Sequence, residues 1–372
     1  MIYLDNSATT KPCKEAIEAM EKALKTCWYN PSALYGAGLE ARAMLQEARN
    51  SVAEKLGAEP DRIFFTSGGT EADNWAVFSA VERLGKRGKH IVTTAVEHHA
   101  IINPMKKLEA KGFEVTYLKP DADGSVSLAS LEAALRKDTI LVSVMMVNNE
   151  SGAVMPIREM ARLTHRLSPL ALFHTDAVQG FLKIPFKAKS LGADLISVSS
   201  HKVHGPKGCG ALYIKPGLPL PPYLLGGGQE QNYRSGTEGC PAIVGFGAAC
   251  KAAKLEEEIP AMAALRDYAV ETLSTVPGLK ILGSHLAPHI ISLSLPGIRS
   301  QGLINCLQDR EICVSAGSAC AKGHRSHVLE AMGVDPVLMD GAIRVSLSRE
   351  NTKEEIDALR EALLAAKGIL KG

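Results

Sequence analysis

The chain has 372 residues, of which 46% are hydrophobic and 22% are charged, so it can bury one large core and a second, smaller one. Its 42 lysines and arginines nearly balance its 40 aspartates and glutamates and are dispersed along the sequence, so nucleic acid is not an expected partner. With neither a signal-peptide pattern nor about 18 uninterrupted apolar residues, a soluble cytoplasmic protein without membrane contact is expected.

Short β-branched or apolar runs alternate with helical patterns over the first two thirds of the chain. Continuous apolar strands separated by helices predict a mainly parallel sheet that is covered on both faces. The predicted strands lie in the stretches RIFFTS, HIVTTAV, EVTYLKP, TILVSVMMVNNE, ALFHTDAVQ and DLISVSS. The expected fold class is therefore α/β, with a large domain over residues 12–255.

The pattern changes after this unit. One long helical stretch precedes the predicted strands HIISLSLPG, ICVSAG and AIRVSLS, and the chain closes with another helix. Thr352 and Glu355 form a capping-box pattern at the start of that helix, and Gly368 is expected at its end. Residues 1–11 and 256–372 are predicted to form a smaller α+β domain, with an active site between the two parts.

Polar residues follow the predicted strands of the large domain. Gly68, Gly69 and Thr70 stand between RIFF and a helix, where free N–H groups could bind a phosphate. A glycine turn is also a common connection between a strand and a helix that binds nothing. The strand predicted in ALFHTDAVQ ends in Asp176 and Gln179, and Lys202 follows the next strand. A lysine for a Schiff base, an acid for a ring nitrogen and a phosphate cup are what pyridoxal phosphate needs.

Two further polar residues follow other strands of the same sheet. The imidazole of His98 could lie over a flat cofactor ring and move protons, and Asn149 could reach a ring hydroxyl. Taken alone, each would more simply be a loop hydrogen-bonder or a core residue. The stretch GAGLEA fits a loose dinucleotide pattern but follows no apolar strand, and no Walker-type sequence occurs, so nicotinamide and ATP are poor alternatives.

Together these residues resemble the fold-type I pyridoxal phosphate enzymes, and within them the class V group that contains cysteine desulfurases of the NifS and IscS kind. The matching stretches are YLDNSATT, NPSALYGAG, FTSGGTEADN, VEHHA, VNNESG, HTDAVQ, SSHKVHGPKGCGALY, GGGQEQNYRSGTE, VSAGSAC and IRVSLSREN. The resemblance implies the fold of these transferases, pyridoxal 5'-phosphate as cofactor and L-cysteine as substrate.

The resemblance also implies roles for individual residues. Lys202 would hold the cofactor covalently and act in catalysis, Asp176 would pair with the pyridine nitrogen, and His98 would stack on the ring and act in catalysis. The other implied cofactor contacts are Gly69, Thr70, Asn149, Gln179, Ser199 and His201. Thr237 would reach the phosphate from the other subunit, which implies a homodimer with shared active sites.

Two residues are implied to bind the substrate, Arg344 and Asn30. A planar guanidinium can give a carboxylate two parallel hydrogen bonds. Taken alone, Arg344 would more simply be a surface arginine on a strand.

The eight cysteines include no CxxC pair, which argues against a disulfide framework and against a zinc or iron–sulfur site. Most are expected to be small buried hydrophobes. Cys320 differs because VSAGSACAKGHRSH is typical of a mobile loop, in which Lys322, His324 and Arg325 could favour the thiolate.

The resemblance implies that Cys320 is the nucleophile. It would take sulfur from L-cysteine, leave L-alanine, and pass the persulfide sulfur to an acceptor protein, such as an iron–sulfur scaffold or a thiolation enzyme. The length of this segment resembles members that need no activating partner. Ala316 and Ala321 stand where the family often has small hydroxyl residues. The alternatives are another class V reaction, such as transamination or selenocysteine cleavage, and a non-catalytic sulfur-carrier or assembly scaffold.

Overall fold

The computed structural model describes residues 1–283, 286–316 and 325–371. The predicted nucleophile Cys320 lies outside the described residues, together with Ala321, Lys322 and His324. Arg325 is described, and its guanidinium is paired with the Asp340 carboxylate at the surface, with Nε 2.8 Å from Oδ1.

The strands and helices follow the predicted alternation. In chain order the strands are β1 (Ile2–Tyr3), β2 (Ile63–Thr66), β3 (His90–Thr94), β4 (Glu114–Leu118), β5 (Thr139–Ser143), β6 (Leu172–Asp176), β7 (Leu195–Ser199), β8 (Gly210–Ile214), β9 (Lys280–Leu282), β10 (Ile290–Ser294), β11 (Ile312–Cys313), β12 (Ser315–Ala316) and β13 (Ala342–Ser346). The α-helices are α1 (Lys14–Thr26), α2 (Gly36–Leu56), α3 (Gly69–Leu84), α4 (His99–Glu109), α5 (Leu128–Ala134), α6 (Ile157–Leu167), α7 (Ala188–Leu191), α8 (Cys240–Ala252), α9 (Leu255–Ser274), α10 (Ser300–Gln308), α11 (His327–Ala331), α12 (Pro336–Asp340) and α13 (Lys353–Lys371). Short 3-10 helices cover Pro60–Arg62, Ser200–Lys202 and Glu230–Asn232.

The main sheet has the strand order β2-β8-β7-β6-β5-β3-β4. Its pairs are parallel except for those of β8, which runs antiparallel to both β2 and β7. The α/β class and the mainly parallel sheet are therefore confirmed. The strand β8 was not predicted; it follows β7 after a short glycine-rich connection without an α-helix, and such a connection suits an antiparallel neighbour.

Helices cover both faces of this sheet, as its buried strands require. Phe64 points to one face, where it packs in a core with Trp75 of α3 and Met105 of α4. Its neighbour Phe65 points to the opposite face and packs in a core with Val52 of α2. The carboxyl ends of the parallel strands remain available for a site.

A second, antiparallel sheet has the order β12-β13-β10-β9, and β1 pairs with β11 beside it. Its own core includes Leu265 of α9, Leu303 of α10, Leu359 of α13 and Leu4 near the amino terminus. The predicted division into residues 12–255 and residues 1–11 with 256–372 stays a prediction. This separate core supports it, but Leu282, Val328 and Leu329 pack in the core of the main sheet.

Two details of the helices differ from the sequence-based expectation. The single helical stretch predicted before the second sheet is two helices, with Ala253 and Lys254 between α8 and α9. Gly368 is not a helix end, because α13 continues to Lys371; one interior glycine costs only about 1 kcal/mol, and the buried face of this helix holds it in place. The capping box is confirmed, since Thr352 N donates to Glu355 Oε2 at 3.2 Å and Glu355 N donates to Thr352 Oγ1 at 3.4 Å.

Among the residues that the structure describes, each helix is either too short or too polar to cross a lipid bilayer.

Candidate active site

A cavity of about 390 Å³ lies where the strands of the main sheet end and the second sheet approaches them. The predicted site residues that line it are Gly69, Thr70, His98, Asn149, Asp176, Gln179, Ser199, His201, Lys202 and Arg344. Ser7 and Ala8 line it from the amino-terminal segment, and Ser315 and Ala316 from β12. Residues that are far apart in the sequence thus line one cavity.

Lys202 ends the 3-10 helix that follows β7. Its Nζ donates hydrogen bonds to the carbonyl oxygens of Ser7 at 2.6 Å and Ala8 at 2.7 Å. The amine is therefore held inside the cavity by backbone acceptors of the amino-terminal segment and remains a hydrogen-bond donor.

Asp176 is buried at the end of β6, with its Oδ1 accepting from Val178 N at 2.8 Å. Burial raises the pKa of Asp176 to about 6, although the Val178 hydrogen bond and the Lys202 charge oppose that shift. A carboxyl with this pKa is mostly ionised at neutral pH, and a protonated ring nitrogen in the cavity would favour its charged form further.

Asp73 of α3 also lines the cavity, and the sequence did not identify it although it lies in the matched stretch FTSGGTEADN. Its Oδ1 is 3.6 Å from His174 Nε2 and has no hydrogen-bond partner among the described residues. Burial, followed by the nearby Asp176 charge, raises the pKa of Asp73 well above its usual range. We infer that Asp73 keeps its proton and that Asp176 carries the negative charge of the pair.

His174 is also neutral, because burial lowers its pKa to about 3. Its Nδ1 lies 2.9 Å from Ser143 Oγ, and its Nε2 lies 2.9 Å from Ser197 Oγ. His174 and its two serine partners are thus uncharged hydrogen-bonding groups.

The residues fit a phosphate at the start of α3. That helix begins at Gly69, where its free N–H groups meet the cavity. Ser199 lines the same cavity, and its buried hydroxyl has no hydrogen-bond partner among the described residues. A Cβ atom at Gly69 would lie 2.7 Å from Val178 Cγ2, so only glycine allows the helix start to pack this closely. A buried hydroxyl beside a helix N-terminus is the donor set that a phosphate group needs.

His98 forms the N-cap of α4, and its Nδ1 accepts from Ala100 N at 3.1 Å. Burial, followed by the Lys202 charge and the neighbouring His99, lowers the pKa of His98 to about 4. The ring is therefore neutral, and because Nδ1 accepts a hydrogen bond, the proton must be on Nε2. His99 and His327, which the sequence did not identify, line the cavity with ring centroids 4.9 Å apart.

Gln179 and His201 are both tied to the amino-terminal segment. Gln179 Nε2 donates to the Ser7 carbonyl at 2.9 Å, and its Oε1 accepts from Lys183 Nζ at 3.3 Å. His201 Nδ1 lies 3.1 Å from Thr9 Oγ1. Burial is the main cause that lowers the pKa of His201 to about 4, so this ring is neutral too.

Arg344 lies in the middle of β13 and is only 6% exposed, so the alternative of a surface arginine is wrong. Its Nη2 donates to Asp5 Oδ1 at 2.8 Å, and its Nη1 donates to the Asn149 carbonyl at 2.9 Å. The guanidinium thus reaches, from the second sheet, the cavity that Lys202 also lines.

Two predicted site residues do not line this cavity. Thr237 is exposed and lines a separate cavity of about 200 Å³ with Ser67. Asn30 is exposed, and its Oδ1 accepts from Ser32 N at 2.9 Å. Within one chain, neither residue is placed beside Lys202.

Glu97 is a further buried carboxyl next to the cavity, in the matched stretch VEHHA. Its Oε1 accepts from Thr94 Oγ1 and Met145 N, both at 2.8 Å, while its Oε2 has no hydrogen-bond partner among the described residues. Burial raises the pKa of Glu97 from 4.5 to about 8. The folded protein therefore keeps a proton that the unfolded chain releases at much lower pH.

Replacing Glu97 by glutamine is expected to stabilise the cofactor-free protein more strongly as the pH rises. Between pH 4.5 and about 8, the unfolded wild type releases a proton that the folded protein keeps, so its free energy of unfolding falls with pH. Glutamine has no such proton. From about pH 5 to about pH 8, urea unfolding should show the advantage of E97Q growing by on the order of 3 kcal/mol. A difference between the two proteins that does not change with pH would contradict this.

Comparisons with known proteins cover nearly the whole chain. The model of the family described as aminotransferase class-V matches residues 2–359. A cysteine desulfurase IscS from Methanosarcina thermophila is 41% identical over 368 residues, which cover 97% of this chain and 91% of that protein. The solved structure of a NifS-like protein is 40% identical and has a TM-score of 0.94. The match covers 99% of this chain and 100% of that chain. A structure described as SspA in complex with cysteine is 32% identical with a TM-score of 0.83, over 95% of this chain and 100% of that chain. The family match includes every described residue that lines the cavity.

Proposed function

The chain belongs to the aminotransferase class-V family and is a pyridoxal phosphate-dependent cysteine desulfurase, and we propose that Lys202, Asp176 and Cys320 carry this activity. The observation that carries the assignment of the first two is their position in one cavity with the start of α3 and the unpartnered Ser199 hydroxyl. These groups together match an aldehyde, a ring nitrogen and a phosphate.

The proposed roles follow from the chemistry of each side chain. Lys202 holds the cofactor and, as an amine, moves a proton at the substrate Cα. Asp176, as a carboxylate, would accept a hydrogen bond from the protonated ring nitrogen and keep that nitrogen charged, and His98 would stack on the ring with its Nε2 proton available. Arg344 binds the substrate carboxylate. Gly69, Thr70, Asn149, Gln179, Ser199 and His201 complete the cofactor site. Bound pyridoxal phosphate supplies the electron sink for this chemistry.

The overall reaction transfers one sulfur atom. The Cβ–S bond of L-cysteine breaks, a sulfur–sulfur bond to Cys320 Sγ forms, and a proton goes to Cβ, so that L-cysteine and the Cys320 thiol become L-alanine and a Cys320 persulfide. No outside oxidant is needed, because the substrate carbon is reduced while the sulfur pair is oxidised.

Two observations on described residues support Cys320 as the nucleophile. Ser315 and Ala316, before its segment, and His327, after it, line the cavity. The described cysteines are poor candidates by comparison, since most are buried, and burial raises the pKa of the thiols of Cys240 to about 11 and of Cys209 still further. A thiol held neutral in this way is a weak nucleophile.

We propose a homodimer in which Thr237 of each subunit completes the cofactor site of the other. Thr237 is exposed on the single chain and lies away from its own Lys202 cavity. Large apolar side chains near Asn30 and Thr237 are exposed as well, including Trp28 at 71% and Leu225 at 87%. Such side chains indicate a surface that another subunit covers. Asn30 is proposed to reach the substrate from this same surface.

Mixed dimers test this arrangement. When one chain carries K202A and the other carries T237V, the site with the intact lysine receives the intact Thr237, so about half of the wild-type activity per dimer is expected, because one of two sites is intact. When one chain carries both changes, the remaining lysine site lacks Thr237, and lower activity and weaker cofactor binding are expected. If the dimer in which one chain carries both changes is instead the more active of the two, Thr237 serves its own subunit.

The sulfur acceptor is proposed to be a protein, either an iron–sulfur scaffold or a thiolation enzyme. The described cysteines are free thiols, as is typical of a reducing compartment, and this supports the cytoplasm as the location. Incubating the enzyme with radiolabelled L-cysteine and cell extract should label one acceptor protein, and only when Cys320 is present. Label that appears equally with C320S would contradict a relay through this cysteine.

A further inference from the structure

We propose that Asp5 is a positioning residue for the substrate carboxylate, which it aligns by fixing the guanidinium of Arg344. This inference rests on the proposed role of Arg344 and extends it to a residue that contacts neither cofactor nor substrate. Asp5 lies in the segment YLDNSATT, at the amino-terminal edge of the second sheet.

The guanidinium is held from two sides. Asp5 Oδ1 accepts from Arg344 Nη2 at 2.8 Å, and the Asn149 carbonyl accepts from Nη1 at 2.9 Å. The Nε hydrogen is buried and has no hydrogen-bond partner among the described residues. Because a guanidinium has five N–H donors, these two bonds fix its plane and leave donors for a second carboxylate.

Asp5 is itself fixed by the backbone around it. It forms a bridge with Ser346 of β13, two residues from Arg344. Its carbonyl accepts from Ala8 N at 3.0 Å, and Ser7 N donates to Ser346 Oγ at 2.8 Å. The carboxylate therefore has a defined position relative to β13.

The same short segment also holds the other group that acts on the substrate. Lys202 Nζ donates to the carbonyl oxygens of Ser7 and Ala8, while Asp5 binds Arg344. An amino acid carries its amino group and its carboxylate on one carbon, so the two protein groups must stand at a fixed separation. Residues 5–8 set this separation through one stretch of backbone.

In the alternative, Asp5 only occupies the substrate-binding side of Arg344. The substrate carboxylate would then either displace Asp5 or be repelled by it. The burial of the pair decides between the two possibilities. The Asp5 side chain is 19% exposed and that of Arg344 is 7% exposed, so both charges are mostly withdrawn from water and each depends on the other as its partner. Removing Asp5 would leave a buried guanidinium without its acid partner, which is a large loss. Positioning is therefore the stronger effect.

The test uses the holoenzyme and its D5N, D5E and D138N variants. The control residue Asp138 is paired with Arg136 at the surface. L-Alanine and ethylamine, which lacks a carboxylate, are titrated while the absorbance of the bound cofactor is followed, and KM and kcat are measured for L-cysteine.

In D5N, KM for L-cysteine and Kd for L-alanine should rise roughly tenfold or more, as the loss of a charge-assisted hydrogen bond predicts. The value of kcat should change less than about threefold, because the chemical groups are intact. Binding of ethylamine should not change, D138N should match the wild type, and D5E should restore part of the loss.

An unchanged or lower KM and Kd in D5N would overturn the proposal, and so would an equal loss for L-alanine and ethylamine, which a general structural defect would cause. If D5N does not load cofactor, the D5E variant provides the test. Its carboxylate is displaced, so D5E should bind L-alanine more weakly than the wild type does and ethylamine equally well. Failure of wild type to form alanine from L-cysteine would instead refute the proposed function, and the two titrations would still test Asp5.

Discussion

K202A is expected to lose alanine formation from L-cysteine by at least about a thousandfold, since in the proposed mechanism one amine supplies both the cofactor attachment and the proton transfer at Cα. The structure places this amine within the cavity that Asp176 and Arg344 also line. Alanine release is the measurement, with the cofactor supplied in excess so that loss of binding alone does not explain the result.

A second readout separates attachment from catalysis. Borohydride should fix the cofactor permanently to the wild-type peptide that contains Lys202, and mass spectrometry of K202A should find no fixed cofactor. Lys189, which is exposed and paired with Glu59, provides the matched control, since K189A should keep activity and labelling. Full activity in K202A, or a cofactor fixed to another lysine, would refute the assignment.

The C320S variant should keep its bound cofactor but lose sulfide and alanine release by at least about a thousandfold, because a hydroxyl is not ionised at neutral pH and cannot form a persulfide. The C306S variant is the matched control, since Cys306 is a half-buried free thiol outside the cavity. Sulfide, alanine and cofactor absorbance are measured for both variants.

The same variant separates the alternative functions. An aminotransferase would keep its activity in C320S, because transamination needs the cofactor and lysine but no thiol. A selenocysteine lyase in which Cys320 is incidental would also survive the change. Transamination, or alanine release from selenocysteine, that is retained in C320S would therefore favour another class V reaction.

The sequence predicted the large-domain side of the site because of how parallel sheets are built. Asp176 and Ser199 end neighbouring strands, and Lys202 follows directly, so their proximity depends on strand order alone. The glycine at position 69 was predictable for a similar reason, since it joins a strand to a helix. These inferences needed only local patterns and the topology rule.

Other contacts were not predictable because they join elements that no local pattern connects. Asp5 and Arg344 are 339 positions apart in the chain. Asp73 is on a helix whose buried face would normally be apolar, and its neighbour Asp176 comes from a different element. His327 of α11 meets His99 of α4, with ring centroids 4.9 Å apart. Such pairings depend on how the packed units meet, which a single sequence does not specify.

The most direct test of sulfur transfer is a single turnover of the wild-type enzyme with L-cysteine, without reductant or any added protein. Mass spectrometry of the digested chain should find one added sulfur atom on the peptide that contains Cys320, in an amount equal to the alanine formed. Alanine without sulfur on Cys320, or sulfur on another cysteine, would contradict the proposed mechanism.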